Sequence, residues 1–160
     1  MDVLFVSPND SNAVYQRLAD DYSAVEPPTW ALLLAQAARS KGYNVGILDT
    51  LAENLSDEQS LERISSLKPK LICFVVYGQN VNSGVVSMSG AVRLSSYIKD
   101  NISTPIAFVG SYLQALPLKA LKEEPSIDFV FTNEGVKSLL KVLSLGSINE
   151  STLANVKGIA

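Results

Sequence analysis

Residues 26–49 read EPPTWALLLAQAARSKGYNVGILD and carry the clearest structural signal in the chain. The proline pair suits the first turn of a helix, where a missing N–H leaves no hydrogen bond unmade. The apolar side chains that follow recur at the spacing of one helix face: Trp30, Leu33, Leu34, Ala37 and Ala38. The pattern predicts a helix over about residues 28–41, with Trp30 anchored in the core, followed by a strand over residues 44–48.

The rest of the chain repeats this alternation of strand and helix patterns. Strands are predicted over residues 2–6, 44–48, 70–76, 105–109 and 127–131. Helices are predicted over about residues 28–41, 57–67, 84–100, 116–123 and 134–145, the second of them opening with a capping-box pattern. The alternation predicts an α/β fold. We expect a three-layer, doubly wound, flavodoxin-like or Rossmann-like sheet of five parallel strands in the order 2-1-3-4-5.

One domain over residues 1–146 accounts for this pattern, and two segments lie outside its minimal plan. Residues 7–26 form a polar connection of a length that is usually functional or disordered. Residues 147–160 end in NVKGIA, which resembles the beginning of another strand. We therefore expect residues 147–160 to be a linker or the start of a missing downstream domain, and the chain to be a fragment of a longer protein.

Composition narrows the possible function classes. The net charge is -3 and basic residues do not cluster, which argues against nucleic acid as a partner. The longest apolar run, residues 71–76, is too short to span a bilayer, and the N-terminus lacks the basic region of a signal peptide. We expect a cytoplasmic protein with no membrane contact. The chain has one cysteine and no histidine, which excludes a disulfide framework, histidine triads and histidine metal ligands.

The loops after the predicted strands are where a ligand is expected, because open parallel sheets bind ligands at the carboxyl ends of their strands. These loops are residues 7–10, 77–84, 110–113 and 132–135. They carry amides and hydroxyls but little charge, and three of them contain glycine, which lets a bulky ligand approach the backbone. The pattern favours a large ligand bearing amide groups. The alternative is that these are ordinary turn residues.

Other sites known on this fold do not match the sequence. The loop SPND at residues 7–10 has neither the glycines of a dinucleotide site nor those of a P-loop. Tyr77 stands where a phosphoacceptor receiver needs an aspartate. Cys73, flanked by apolar residues, is interpreted as packing, and Asp49 as a turn or cap residue rather than a ribose ligand. The remaining acidic candidates are interpreted as solvated loop charges: Asp20, Asp21 and Glu26.

Four segments, in order and at matching spacing over residues 2–145, resemble those of one family. They are VSPN (6–9), EPPTWALLLAQAA with KGYNV and Asp49 (26–49), VGS with ALP and Leu121 (109–121), and IDFV with NEG (127–135). Each segment alone is a weak match, but the four together are specific. They resemble the N-terminal cobalamin (vitamin B12)-binding domain of the radical S-adenosylmethionine enzymes.

The resemblance implies that this chain holds cobalamin and catalyses nothing by itself. In a parent enzyme, for instance a methyltransferase, the iron–sulfur cluster and S-adenosylmethionine would belong to a downstream barrel, which is the expected partner. No catalytic and no metal-ligating residue is implied in this chain. The implied cofactor-binding residues are Pro8, Asn9, Tyr77, Gly78, Gln79, Asn80, Gly110, Ser111, Tyr112, Asn133, Glu134 and Gly135.

The resemblance also implies a role for each loop. Residues 77–80 would line the edge of the corrin ring, and residues 110–112 would lie beside the nucleotide tail. Residues 133–135, at a helix N-terminus, would accept a polar or anionic group. Ser111 and Asn133 stand where the family has glycine. These departures leave open an alternative, a cofactor-free scaffolding or interaction domain of the same fold. A nucleotide-binding protein of flavodoxin type is a third possibility, without an evident phosphate loop.

Overall fold

The computed structural model describes residues 1–8, 25–78 and 81–160 and is built around a five-stranded sheet. The strands are β1 (Val3–Ser7), β2 (Val45–Asp49), β3 (Ile72–Val76), β4 (Ile106–Gly110) and β5 (Phe129–Phe131). All five run parallel, in the order β2-β1-β3-β4-β5. The predicted fold class, strand directions and strand order are confirmed.

Helices connect the strands. They are α1 (Thr29–Arg39), α2 (Asp57–Leu67), α3 (Val81–Lys99), α4 (Ser111–Ala115), α5 (Pro117–Glu123), α6 (Val136–Leu143) and α7 (Glu150–Leu153). The five predicted helices form, although α3 begins three residues earlier than expected. Residues 111–113 were predicted to be a loop and instead begin the short helix α4, because this turn buries the side chain of Leu113. None of these helices is long and apolar enough to cross a membrane.

The helices cover both faces of the sheet, so successive residues of each strand are buried on opposite sides. On the first strand, Leu4 and Val6 point to one face, and Val3 and Phe5 to the other. The face that receives Leu4 is covered by α2, α3, α4 and α5 and is called the α3 face below. The opposite face is covered by α1 and α6 and is called the α1 face. Burial on both sides explains why the strands are apolar throughout.

Helix α1 corrects one prediction. Trp30 is 39% exposed and Leu33 is 55% exposed, so the expectation that Trp30 anchors the core is wrong. The buried residues of α1 have the expected spacing but begin one residue later: Ala31, Leu34, Ala35 and Ala38. The physical reason is size, because three alanines let the helix approach the sheet closely, and the indole ring is left on the flank.

Two local predictions about helix starts and turns are confirmed. Ser56 Oγ accepts a hydrogen bond from the backbone N–H of Gln59, and Gln59 Oε1 accepts one from the N–H of Ser56, which completes the capping box of α2. Asp49 Oδ1 accepts a hydrogen bond of 3.1 Å from the backbone N–H of Ala52. The carboxylate of Asp49 therefore stabilises the turn after β2, as the sequence indicated.

Residues 156–160 return to the sheet beside β5. Ile159 lies opposite Phe131 in an antiparallel bridge, and Val156 is buried on the α1 face. The expected domain boundary at residue 146 and the linker role of residues 147–160 stay predictions.

Candidate functional site

The residues that follow the strands at their carboxyl ends form one edge of the molecule, called the rim below. Of the predicted site residues, Pro8 follows β1, Tyr77 and Gly78 follow β3, and Gly110 ends β4. The others described are Ser111 and Tyr112 in α4, and Asn133, Glu134 and Gly135 between β5 and α6. Asn9, Gln79 and Asn80 lie outside the described residues, as do Asp20 and Asp21.

The side chain of Tyr77 contacts residues from two helices, α1 and α4. Its ring stacks on that of Trp30 at the start of α1, with centroids 4.5 Å apart and planes inclined by 27°. Its hydroxyl accepts a hydrogen bond from the side-chain amide of Gln114 in α4. Burial, and then the negative charge of nearby Glu134, raise the pKa of Tyr77 to about 12, although the bond from Gln114 opposes this. The phenol is therefore neutral at physiological pH and offers hydrogen bonding rather than base catalysis.

Strand β4 ends in very close contact with β3 and with the start of α3. A Cβ atom on Gly110 would lie 2.3 Å from the carbonyl oxygen of Val76. A Cβ atom on Gly84 would lie 2.6 Å from Ser111 Oγ. Both glycines are thus required by the packing of the chain on itself. The contact with Val76 already explains why residue 110 is glycine, without the close approach of a ligand that the sequence predicted.

The hydroxyl of Ser111 is an exception to the usual pairing of buried polar groups. Ser111 Oγ is buried and has no hydrogen-bond partner in the part of the chain that the structure describes. A buried polar atom left unpaired costs about 1–3 kcal/mol, so such an atom at a candidate site calls for an explanation.

Asn133 organises the loop between β5 and α6. Its Oδ1 accepts a hydrogen bond of 2.8 Å from the backbone N–H of Gly135. Gly135 has φ of +84°, a left-handed conformation that favours glycine, and it caps the N-terminus of α6. Glu134, between them, is exposed. Asn133, where the family has glycine, therefore stabilises this loop.

The remaining predicted residue of α4 lies elsewhere. Tyr112 packs against the core of the α3 face, whereas Tyr77 packs against that of the α1 face, so the two rings do not share one pocket wall. Sequence reasoning missed Gln114, included Gly84 only as part of the expected ligand loop at residues 77–84, and assigned Trp30 to the core. The exposed glutamine has no distinctive spacing, and the contact of Gly84 with Ser111 joins residues distant in the chain, so neither contact carried a sequence signal.

Metal and thiol chemistry find no support among the described residues. Cys73 is fully buried in the core of the α1 face, where burial raises the pKa of its thiol, so the predicted packing role is confirmed. Within residues 1–8, 25–78 and 81–160 no three His, Cys, Asp or Glu residues are placed to hold a metal ion.

A cavity of about 440 Å³ lies at the start of α2, lined by residues 54–59 and Arg93. Arg93 is held there by a two-pronged hydrogen-bonded ion pair with Asp57, at 2.9 and 3.1 Å. Its charge is therefore engaged within the protein, and the cavity contains none of the predicted site residues.

Comparisons with known proteins find similarity both in sequence and in fold. No family model matches the chain. It is 25% identical over 146 residues to the anaerobic magnesium-protoporphyrin IX monomethyl ester cyclase of Rubrivivax gelatinosus, covering 90% of this chain and 24% of the cyclase. It is also 25% identical over 135 residues to the cyclase of the same name from Synechocystis, covering 84% of this chain and 26% of that protein. The chain thus spans about a quarter of the length of the curated relatives it matches.

Solved structures share its fold. The radical S-adenosylmethionine methyltransferase TsrM from Kitasatospora setae, with cobalamin and a [4Fe-4S] cluster bound, superposes with a TM-score of 0.71 at 18% identity, covering 99% of this chain and 27% of TsrM. The cobalamin-dependent S-adenosylmethionine radical enzyme OxsB gives a TM-score of 0.67 at 16% identity, covering 99% of this chain and 20% of OxsB. The chain is thus similar in sequence to part of these cyclases, and in fold to part of radical S-adenosylmethionine enzymes that bind cobalamin, which confirms the resemblance predicted from its sequence.

Proposed function

We propose that this chain binds cobalamin at the rim, as the cobalamin-binding part of a longer radical S-adenosylmethionine enzyme. The observation that carries the proposal is the buried, unpaired hydroxyl of Ser111, in a loop that the resemblance assigns to the cofactor, although the family has glycine at this position. A ligand with hydrogen-bonding groups gives that hydroxyl the partner that the described part of the protein withholds.

The chemistry of the rim suits a large ligand that carries amides. Tyr77 and Gln114 offer a phenol and an amide, already oriented by their mutual hydrogen bond. Of the predicted site residues, Glu134 alone carries a charge, and it is exposed. Neutral donors and acceptors of this kind match the amide side chains of a corrin better than they match a phosphate.

The residues present indicate which role belongs to the chain and which to the cofactor. Cobalamin, when bound, supplies the cobalt chemistry, and the chain binds and orients it. The sequence has no histidine, so no imidazole of this chain ligates the metal. The stacked rings of Trp30 and Tyr77 give one side of the rim a rigid apolar surface, because each ring restricts the other. The other proposed cofactor contacts are those implied by the resemblance, including Asn9, Gln79 and Asn80.

The remaining cofactors are assigned to another part of a parent protein. The 160 residues contain one cysteine, which is fewer than a three-cysteine cluster motif requires. An iron–sulfur cluster and S-adenosylmethionine would therefore belong to a downstream barrel, with which this domain would pack. Methyl transfer by the parent enzyme and a cytoplasmic location are part of the same proposal.

Retention of the cofactor tests the proposal directly. The purified chain is incubated with hydroxocobalamin and desalted, and the visible spectrum of the protein fraction is recorded. We expect retention at near-equal stoichiometry. A colourless fraction from a chain that is folded by circular dichroism would instead favour the alternative, a cofactor-free scaffolding domain.

A serine variant tests the role of the unpaired hydroxyl. In Ser111→Ala, the lost ligand hydrogen bond raises the Kd for hydroxocobalamin about 2- to 10-fold, as expected for about 0.5–1.5 kcal/mol. The free protein becomes no less stable, because an unsatisfied buried group is removed. The matched control is Ser66→Ala, whose exposed hydroxyl bonds only the carbonyl of Arg63 in its own helix. Equal affinity of both variants would refute the role of Ser111.

A further inference from the structure

The segment of residues 156–160, called the strap below, is hydrogen-bonded to the edge strand β5. The N–H of Val130 donates to the carbonyl of Ala160, and the N–H of Ala160 donates back to Val130, both at 3.0 Å. The N–H of Thr132 donates to the carbonyl of Gly158, also at 3.0 Å. The strap therefore covers the edge of β5 and continues to the point where the rim loop begins.

The strap also touches the side chains behind the rim loop. Ser138 Oγ, buried in α6, donates a hydrogen bond of 2.9 Å to the carbonyl of Lys157. A Cβ atom on Gly158 would lie 2.3 Å from Asn133 Nδ2 and 2.5 Å from Ser138 Oγ. The backbone of Gly158, with φ of +82°, is thus packed directly on the amide of Asn133.

Asn133 transmits this contact to the rim. The amide oxygen accepts the N–H of Gly135, and the amide nitrogen lies 3.5 Å from Ser138 Oγ. The N–H of Gly135 is a donor, so it bonds the amide oxygen, and the amide nitrogen is left on the side of Ser138 and the strap. The strap therefore contacts the same side chain that closes the turn at the start of α6.

We propose that the strap is a positioning element for the ligand site: Gly158, which is not among the predicted cofactor contacts, holds Asn133 in the orientation that shapes residues 133–135 at the rim. The effect of the strap on ligand affinity rests on the proposed binding of cobalamin. The effect of the strap on the conformation of residues 133–135 does not depend on cobalamin. A strap of this kind makes binding at the rim sensitive to residues beyond the expected domain boundary at residue 146.

Two matched glycine variants test the proposal in the whole chain. Gly158→Ala adds a methyl group against Asn133 at a residue with positive φ. Gly42→Ala adds one at a residue with nearly the same φ, +85°, and with no described atom within 4 Å. Both variants carry the same backbone strain, so any difference between them reports the contact of the strap with Asn133.

Two readouts separate the steps. Amide hydrogen exchange at Gly135, compared with a core amide such as that of Phe74, is expected to be about 10-fold faster in Gly158→Ala than in Gly42→Ala. The Kd for hydroxocobalamin is expected to rise about 5-fold in Gly158→Ala and to stay near the wild-type value in Gly42→Ala. Equal exchange at Gly135 in the two variants would overturn the proposal, whether or not cobalamin binds.

A milder pair covers the case in which Gly158→Ala does not fold. Ser138→Ala removes the hydroxyl that joins the strap to Asn133 and adds no bulk. Ser60→Ala removes an equally buried hydroxyl, bonded to the carbonyl of Ser56 in α2, far from the strap. Faster exchange at Gly135 in Ser138→Ala but not in Ser60→Ala supports the positioning role of the strap. Equal exchange at Gly135 in the two variants overturns that role. If the wild-type chain binds no hydroxocobalamin, the proposed function is refuted. The exchange rates at Gly135 still test the positioning role of the strap in that case.

Discussion

Replacement of Gly110 by alanine is expected to destabilise the protein by about 3 kcal/mol, near the upper end of the usual cost of overpacking a core. The added Cβ would lie 2.3 Å from the carbonyl oxygen of Val76, 2.9 Å from its carbonyl carbon and 3.2 Å from its Cβ. Ordinary contact begins at 3.4 Å, so the two strands must separate by roughly 1 Å. The neighbour is backbone and cannot rotate away, and Gly110 pairs with Val76 at the ends of β4 and β3.

Urea unfolding followed by circular dichroism measures this cost. A loss of about 3 kcal/mol corresponds to a fall in Tm of about 6–12 °C for a domain of this size. The matched control is Gly146→Ala, which is exposed and has no described atom within 4 Å of the added Cβ. It should lie within about 0.5 kcal/mol of the wild type. If both variants unfold at the same urea concentration, the close approach of β3 and β4 is refuted.

Other predictions concern the rim tyrosine and the start of α2. Because the pKa of Tyr77 is raised to about 12 from its ordinary value near 10, the stability that the neutral phenol contributes is fully present below pH 10 and is lost as the pH rises from 10 to 12. This loss should disappear in Tyr77→Phe, as measured by urea unfolding at each pH. Trp30→Ala should lower the pKa of Tyr77, because burial is the main cause of its raised value. The absorbance of the phenolate at alkaline pH measures this pKa. An unchanged pKa in the variant would contradict the stacked arrangement of the two rings. Ser56→Ala should cost about 1 kcal/mol through loss of the cap on α2, whereas an unchanged unfolding midpoint would count against the capping box.

The strand order and the two covered faces could be predicted from sequence by combining local patterns with the general rules for connecting parallel strands. Apolar runs with no polar alternation require burial on both faces, and strand-to-helix alternation leaves few ways to connect parallel strands. The capping box at Ser56 and the turn at Asp49 were predictable from local patterns alone, since each involves hydrogen bonds between residues within three positions of one another.

The orientation of α1 could not be predicted in this way. Nearly every residue from 30 to 38 is apolar, so two stripes with the same spacing compete, one beginning at Trp30 and one at Ala31. The choice depends on how closely the helix can approach the sheet. Small alanine side chains allow a closer approach than an indole, and the indole then stacks on Tyr77 at the rim.

Local periodicity in the sequence by itself determined the order of elements, the burial of the sheet and the loops that meet at the rim. Tertiary structure alone decided which atoms meet there: the carbonyl of Val76 against Gly110, the unpaired hydroxyl of Ser111 beside Gly84, and the strap against Asn133. These contacts join residues from 25 to 34 positions apart in the chain. No periodic pattern in the sequence spans such separations, because these atoms become neighbours only when the sheet brings the ends of its strands together.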